Sequence, residues 1–137
     1  MRNMVKMSAR YTGQLHCELI HKSSGKVIET DAPKDNQGRG ECFSPTDLVG
    51  AALASCILTT LAIAANKDGI SIDGATAQFE KEMSVQPRRI ETLSIRLTLP
   101  NSIPENYRAK VEQIAHDCPV ARSLSGDVKT PLAIEYK

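Results

Sequence analysis

The residues of this chain with the most covalent chemistry available to them are its four cysteines, Cys17, Cys42, Cys56 and Cys118. A thiolate attacks peroxides, disulfides and acyl carbons, and it ligates soft metals. The spacing contains no C-x-x-C pair. The nearest His–Cys neighbours are His16-Cys17 and His116-x-Cys118, which is poor spacing for zinc. No metal and no other cofactor is therefore expected. The N-terminal segment lacks an apolar stretch followed by a small-residue cleavage site, so it does not read as a secretory signal. Cysteines without an export signal point to a reducing, cytoplasmic setting. There they serve as catalysts, ligands or plain core residues more often than as structural disulfides.

The elements that must position these thiols follow from periodicity. Val5, Met7, Ala9 and Tyr11 alternate with polar neighbours, Thr12-Gly13 marks a turn, and Leu15, Cys17 and Leu19 repeat the alternation. This predicts a hairpin with Cys17 as a small residue on its apolar face, followed by a short strand over 26–30. The Pro/Gly/Asp-rich stretch 31–43 reads as a loop carrying Cys42. Ser44-Pro45 then opens a long helix running to about residue 66, with Ser44 as cap, Pro45 at the first helical position and Asp47 placed to bond back to the cap. Cys56 lies within it. Two long alternating strands around Gln86–Arg89 form a second hairpin. A second helix opens at Pro104 and ends near Cys118-Pro119, and a last strand carries Leu132, Ile134 and Tyr136. The order β-β-β-α-β-β-α-β predicts a single α+β domain, 1–137, with antiparallel sheets around a buried central helix.

The remaining composition excludes other classes. Seventeen basic and 16 acidic residues give a net charge of +1, with no basic run to bind nucleic acid. Leu48 to Ala65 is free of charge, near the lower length limit for a membrane span. It is nevertheless rich in Ala, is interrupted by Gly, Ser, Cys and Thr, and has no basic flank, so a core helix is expected and no membrane. With no Trp, 2 Phe and 3 Tyr, the core is light, which suits completion by a partner subunit. On these grounds alone Cys56 reads either as a small core residue or as a reactive thiol.

Two segments, SPTDLVGAALASCILTTL and CPVARSL, resemble the OsmC/Ohr family, the osmotically induced and organic hydroperoxide resistance proteins. In that family a Pro and an acidic stretch lead into an Ala-rich helix that carries a reactive Cys, and a later Cys-Pro carries a second thiol. The order of strands and helices is similar as well, so the resemblance spans nearly the whole chain and points to an OsmC-like branch. It implies an intertwined homodimer with sites at the subunit interface. It also implies Cys56 as the peroxidatic thiol, Cys118 as the resolving thiol, and reduction by a small dithiol or thioredoxin-type partner. The implied activity is a thiol-dependent peroxidase acting on organic hydroperoxides, with hydrogen peroxide as a further substrate. The alternative is a non-catalytic stress-response or small-ligand-binding dimer of the same fold. A Cys/His hydrolase would rest on His116 alone.

An ordinary thiol is only about 3% ionised at pH 7, and burial lowers that fraction. A cation near Cys56 is therefore expected. Family members place a Glu ten residues before the reactive Cys, paired with an Arg. In this chain that position is Thr46, with Asp47 next to it and Glu41 nearby. Arg39, flanked by Gly38 and Gly40, is the candidate cation and Arg10 the runner-up. Asp47 reads as either a capping carboxylate or a site residue. The candidate catalytic set is Cys56, Cys118, Arg39 and Asp47.

Overall fold

A computed structural model describes residues 2–137. The chain forms two compact units, 1–48 and 49–137.

In the first unit, β1 (Met7–Gly13), β2 (His16–His21) and β3 (Val27–Asp31) form an antiparallel sheet in the order β1-β2-β3. The first turn is Gln14-Leu15, two residues later than the sequence predicts. Both residues have positive φ, 55° and 60°, which matches the right-handed strand twist. The backbone N–H of Leu15 donates to the Tyr11 hydroxyl at 3.2 Å and steadies this turn. Among the described residues of this unit, the buried ones are Thr30, Asp31 and Ser44, all polar. Met7, Tyr11, Val27 and Ile28 are all at least half exposed. The sheet therefore has apolar surface but no apolar core of its own.

The long helix α1 (Pro45–Lys67) begins as expected. The Asp47 backbone N–H donates to Ser44 Oγ at 3.1 Å, and the Ser44 backbone N–H donates to Asp47 Oδ2 at 2.9 Å. This reciprocal pair satisfies two otherwise orphaned donors. The helix stops at Gly69, whose φ of +72° other residues rarely adopt.

In the second unit, β4 (Thr76–Val85), β5 (Arg88–Leu99) and β6 (Leu132–Tyr136) form a sheet in the order β4-β5-β6. The β4–β5 pair is the predicted hairpin, with a register shift between Glu82 and Met83. By contrast, β6 pairs with β5 in parallel. An antiparallel return needs only a tight turn, whereas here helices intervene and carry the chain back to the same end. These are α2 (Arg108–Ala115), entered through a 3-10 turn at Glu105–Tyr107, and the short α3 (Pro119–Ser123).

Leu93, Ile95, Leu97 and Leu99 of β5 pack with Leu53, Ile57, Leu61 and Ala65 of α1 and with Val111 and Ala115 of α2. Gly50 allows the helix to lie close to the sheet, since a Cβ there would meet Leu93 and Phe79 at 3.4 Å. Burial of α1 is narrower than its all-round apolar sequence suggests. It follows one stripe, while Ala52, Ser55, Thr59 and Ile63 face solvent. At the far end of α1, Asp68 accepts from the Tyr107 hydroxyl at 2.7 Å and pairs with Lys110 at 2.8 Å. This fixes α2, and with it the segment that delivers Cys118.

Candidate functional site

Cys56 sits three turns into α1, and all four cysteines are free thiols. One helical turn on, at i+4, the Thr60 hydroxyl lies 3.8 Å from the Cys56 sulfur. Residues four apart share a helix face, so the helix itself creates this pair. Cys118 arrives from the other side. It is extended, with φ −82° and ψ 157°, because Pro119 follows it. It caps α3, and the Ala121 backbone N–H donates to its sulfur at 3.5 Å. It is also fully buried. Around it, Arg122 grips Asp117 with two bonds of 2.7 and 2.6 Å, and Ser123 donates to the Pro119 carbonyl at 2.9 Å.

Each thiol acts on the ionisation of the other, and their environments push them apart in acidity. Burial is the largest influence on Cys56 and opposes its ionisation. The backbone N–H of Val120, the Thr60 hydroxyl and the Cys118 thiol together outweigh it, so Cys56 is held below the ordinary thiol value. Burial pushes Cys118 up. The Ala121 N–H works against that rise, and the neighbouring Cys56 adds to it. The arrangement makes Cys56 the more acidic of the two thiols and Cys118 the one that holds its proton more tightly.

Two of these donors, Thr60 and the Val120 N–H, stand where the sequence led one to expect a cation. Thr60 had a readable signal, its i+4 spacing from Cys56. The Val120 N–H had none, because no side-chain pattern reveals it. Of the expected groups, Arg39 lies in the first unit, half exposed, with its guanidinium 3.9 Å from the Asp31 carboxylate. Asp47 engages its own cap, as described above. Arg10 pairs with Glu18 across the first hairpin at 2.6 Å. His116 lies 3.4 Å from Glu112 on an exposed helix flank. Cys17 is half-buried opposite Tyr11 and Thr30. Cys42 is half-buried against Asp31, its thiol pushed up by burial and then by that carboxylate.

The sequence and the fold both match a known family. The sequence model described as OsmC-like protein matches residues 38–132. A crystal structure from Psychrobacter arcticus 273-4, of a protein provisionally assigned to the osmotic stress induced and detoxification response, is 38% identical. It covers 98% of each chain at a TM-score of 0.91. The chain belongs to the OsmC family. Its fold is also that of the organic hydroperoxide resistance protein OsmC of Legionella pneumophila, at 19% identity, 97% of each chain and a TM-score of 0.76. The organic hydroperoxide resistance protein OhrB of Bacillus subtilis is similar at 18% identity, 97% and 98% coverage and a TM-score of 0.68. No curated protein matches the chain by sequence.

Proposed function

We propose that this protein is a thiol-dependent peroxidase that reduces organic hydroperoxides, with Cys56 as the attacking sulfur. The observation that carries this reading is the pairing of Cys56 and Cys118 with opposite shifts in acidity. The Cys56 thiolate attacks the terminal oxygen of the hydroperoxide. The O–O bond breaks, the alkoxide leaves and takes a proton to become an alcohol, and Cys56 becomes a sulfenic acid. The Cys118 sulfur then attacks the Cys56 sulfur. An S–S bond forms and water leaves, carrying off the sulfenic hydroxyl and the Cys118 proton. A dithiol or thioredoxin-type reductant in the cytoplasm restores both thiols by exchange and becomes a disulfide itself.

The apolar residues left exposed on one face of the first sheet, Met7, Tyr11 and Ile28, support a homodimer. A patch of that kind on a stable soluble chain marks an interaction surface. Light scattering at several concentrations tests that part. Arg39 and Asp47 stay in the proposed catalytic set, as residues of the loop and cap that lead into α1. The full cycle is tested by mixing purified protein with cumene hydroperoxide and a dithiol. Consumption of peroxide is expected, and Cys56→Ser is expected to abolish it. Full activity in Cys56→Ser would overturn the assignment.

Thr46, standing where family members carry a Glu, favours a second reading, a non-catalytic dimer of the same fold. That reading requires that no Cys56–Cys118 disulfide forms after peroxide treatment.

A further inference from the structure

We propose that His16, Asp31 and Cys42 form a binding site for a divalent cation of the zinc type. The three residues come from three segments of the first unit: the start of β2, the end of β3 and the loop before α1. Their donor atoms, an imidazole nitrogen, a carboxylate oxygen and a thiol sulfur, all lie within 4.8 Å of one another. The Asp31 side chain is 1% exposed and that of His16 is 16% exposed. His16 Nδ1 stands 2.6 Å from Asp31 Oδ1. Its other ring nitrogen, Nε2, is 3.2 Å from Glu29, so a carboxylate orients the ring with Nδ1 toward the trio, as in many histidine–metal sites.

The backbone holds this cluster in place. The Asp31 N–H donates to the Phe43 carbonyl at 3.1 Å, the Glu41 N–H to Asp31 Oδ2 at 3.0 Å, and the Gly40 N–H to the Ala32 carbonyl at 3.2 Å. These bonds bracket Cys42 on both sides. The approach is possible because residue 38 is a glycine: a Cβ there would lie 1.7 Å from the Ala32 carbonyl oxygen.

The chemistry of the donor set selects the ion. One thiolate and one carboxylate neutralise a dication, and the imidazole completes three ligands. A sulfur–nitrogen–oxygen set suits zinc or cobalt, whereas calcium and magnesium prefer oxygen alone. Bond lengths of 2.0–2.3 Å place neighbouring donors about 3.3–3.8 Å apart in a tetrahedron. The His16–Asp31 pair therefore opens by roughly an ångström as the ion enters, and Cys42 closes in. Three bonds to the metal form, the Cys42 thiol proton and the Nδ1 proton leave to solvent, and no electrons move. The half-exposed Arg39, 3.9 Å from Asp31, swings outward, and one tetrahedral position stays open for water or an anion. The trio is not a nucleophile–base chain. Asp31 is the member that bonds the imidazole directly, and all three donor atoms stay within 4.8 Å of one another, as a shared ion requires. Among its described residues, the unit that holds the cluster buries no apolar side chain, and small units without such a core commonly rely on metals or partner subunits.

Cobalt titration of the full chain tests the site. The protein is reduced, stripped with chelator and carries Cys56→Ser and Cys118→Ser, so that the only remaining thiols are Cys17 and Cys42. One cobalt per chain is expected, with a sulfur-to-cobalt charge-transfer band that zinc abolishes. Cys42→Ser should remove the band, and Asp31→Asn and His16→Gln should weaken binding by at least about tenfold. Glu29→Gln should weaken it by about tenfold through ring orientation alone. A band that survives Cys42→Ser, or no stoichiometric binding, overturns the proposal. Should Cys42→Ser not fold, alkylation of the otherwise unaltered chain decides. Zinc should slow modification of Cys42 by about tenfold or more and leave Cys17 unchanged, and equal rates with and without zinc overturn the site.

Discussion

Replacing Thr60 by Val removes one donor to the Cys56 sulfur and changes little else, since the two side chains have nearly the same shape. A hydrogen bond to a charged group is worth about 1.5–3 kcal/mol. The contact is long at 3.8 Å and lies on a partly solvated flank, so the lower bound of about 1.5 kcal/mol is appropriate. At 1.36 kcal/mol per tenfold change, the Cys56 acid dissociation constant falls about twelvefold and the pH of its half-ionisation rises. Well below that value, the thiolate fraction falls about twelvefold. A more basic thiolate is also a better nucleophile, with a Brønsted slope of about 0.4–0.5, which returns roughly threefold. The net loss at low pH is about fourfold. Above both half-ionisation pH values the ionised fraction is the same in both proteins, and the variant should react about threefold faster. The assay is the pH dependence of the reaction between Cys56 and a small aromatic disulfide, followed by release of the first aromatic thiol. The two rate–pH curves must cross. Parallel curves, or an unchanged midpoint, would refute the account of Cys56 activation.

Cys118→Ser should leave the first peroxide turnover intact but stop the cycle, and mass spectrometry should then find Cys56 with two added oxygens, because no thiol traps the sulfenic acid. Asp47→Ala removes the acceptor for the Ser44 N–H and should cost about 1 kcal/mol, measured by chemical denaturation. Its place in the proposed catalytic set predicts a further loss of peroxidase rate per folded molecule, and a rate that follows folded protein alone would leave Asp47 only its capping role. Leu97→Ala empties a fully buried position on β5 and should cost about 2–5 kcal/mol while leaving turnover per folded molecule unchanged. A smaller cost would mean that the sheet closes over the gap.

Much of the fold was legible because its signals are local. The cap Ser44, Pro45 and Asp47 announce α1, and the alternation in β4 and β5 announces their hairpin. The parallel pairing of β6 was not legible, since pairing direction depends on where the intervening helices deliver the chain. The two motifs single out Cys56 and Cys118, but not the groups that surround the Cys56 sulfur. The expected cation was a side-chain idea, whereas the donors grouped on Cys56 include a backbone N–H that exists only once α3 has formed. The His16–Asp31–Cys42 cluster was hidden for a related reason. Linear spacing pairs His16 with Cys17, but adjacent residues on a strand point to opposite faces. His16 therefore meets Cys42, which is brought to it by a loop anchored at Asp31.

The cap of α3 has a thermodynamic consequence in the proposed cycle. The Cys118 sulfur that accepts the Ala121 N–H is also the sulfur that enters the disulfide, and it serves the cap fully only while reduced. Helix stability and reduction potential are then linked quantities: whatever steadies the capped turn favours the dithiol, and whatever frays it favours the disulfide. Ser123, bonded to the Pro119 carbonyl and remote from any electron transfer, becomes a residue through which the redox poise of the protein is tuned.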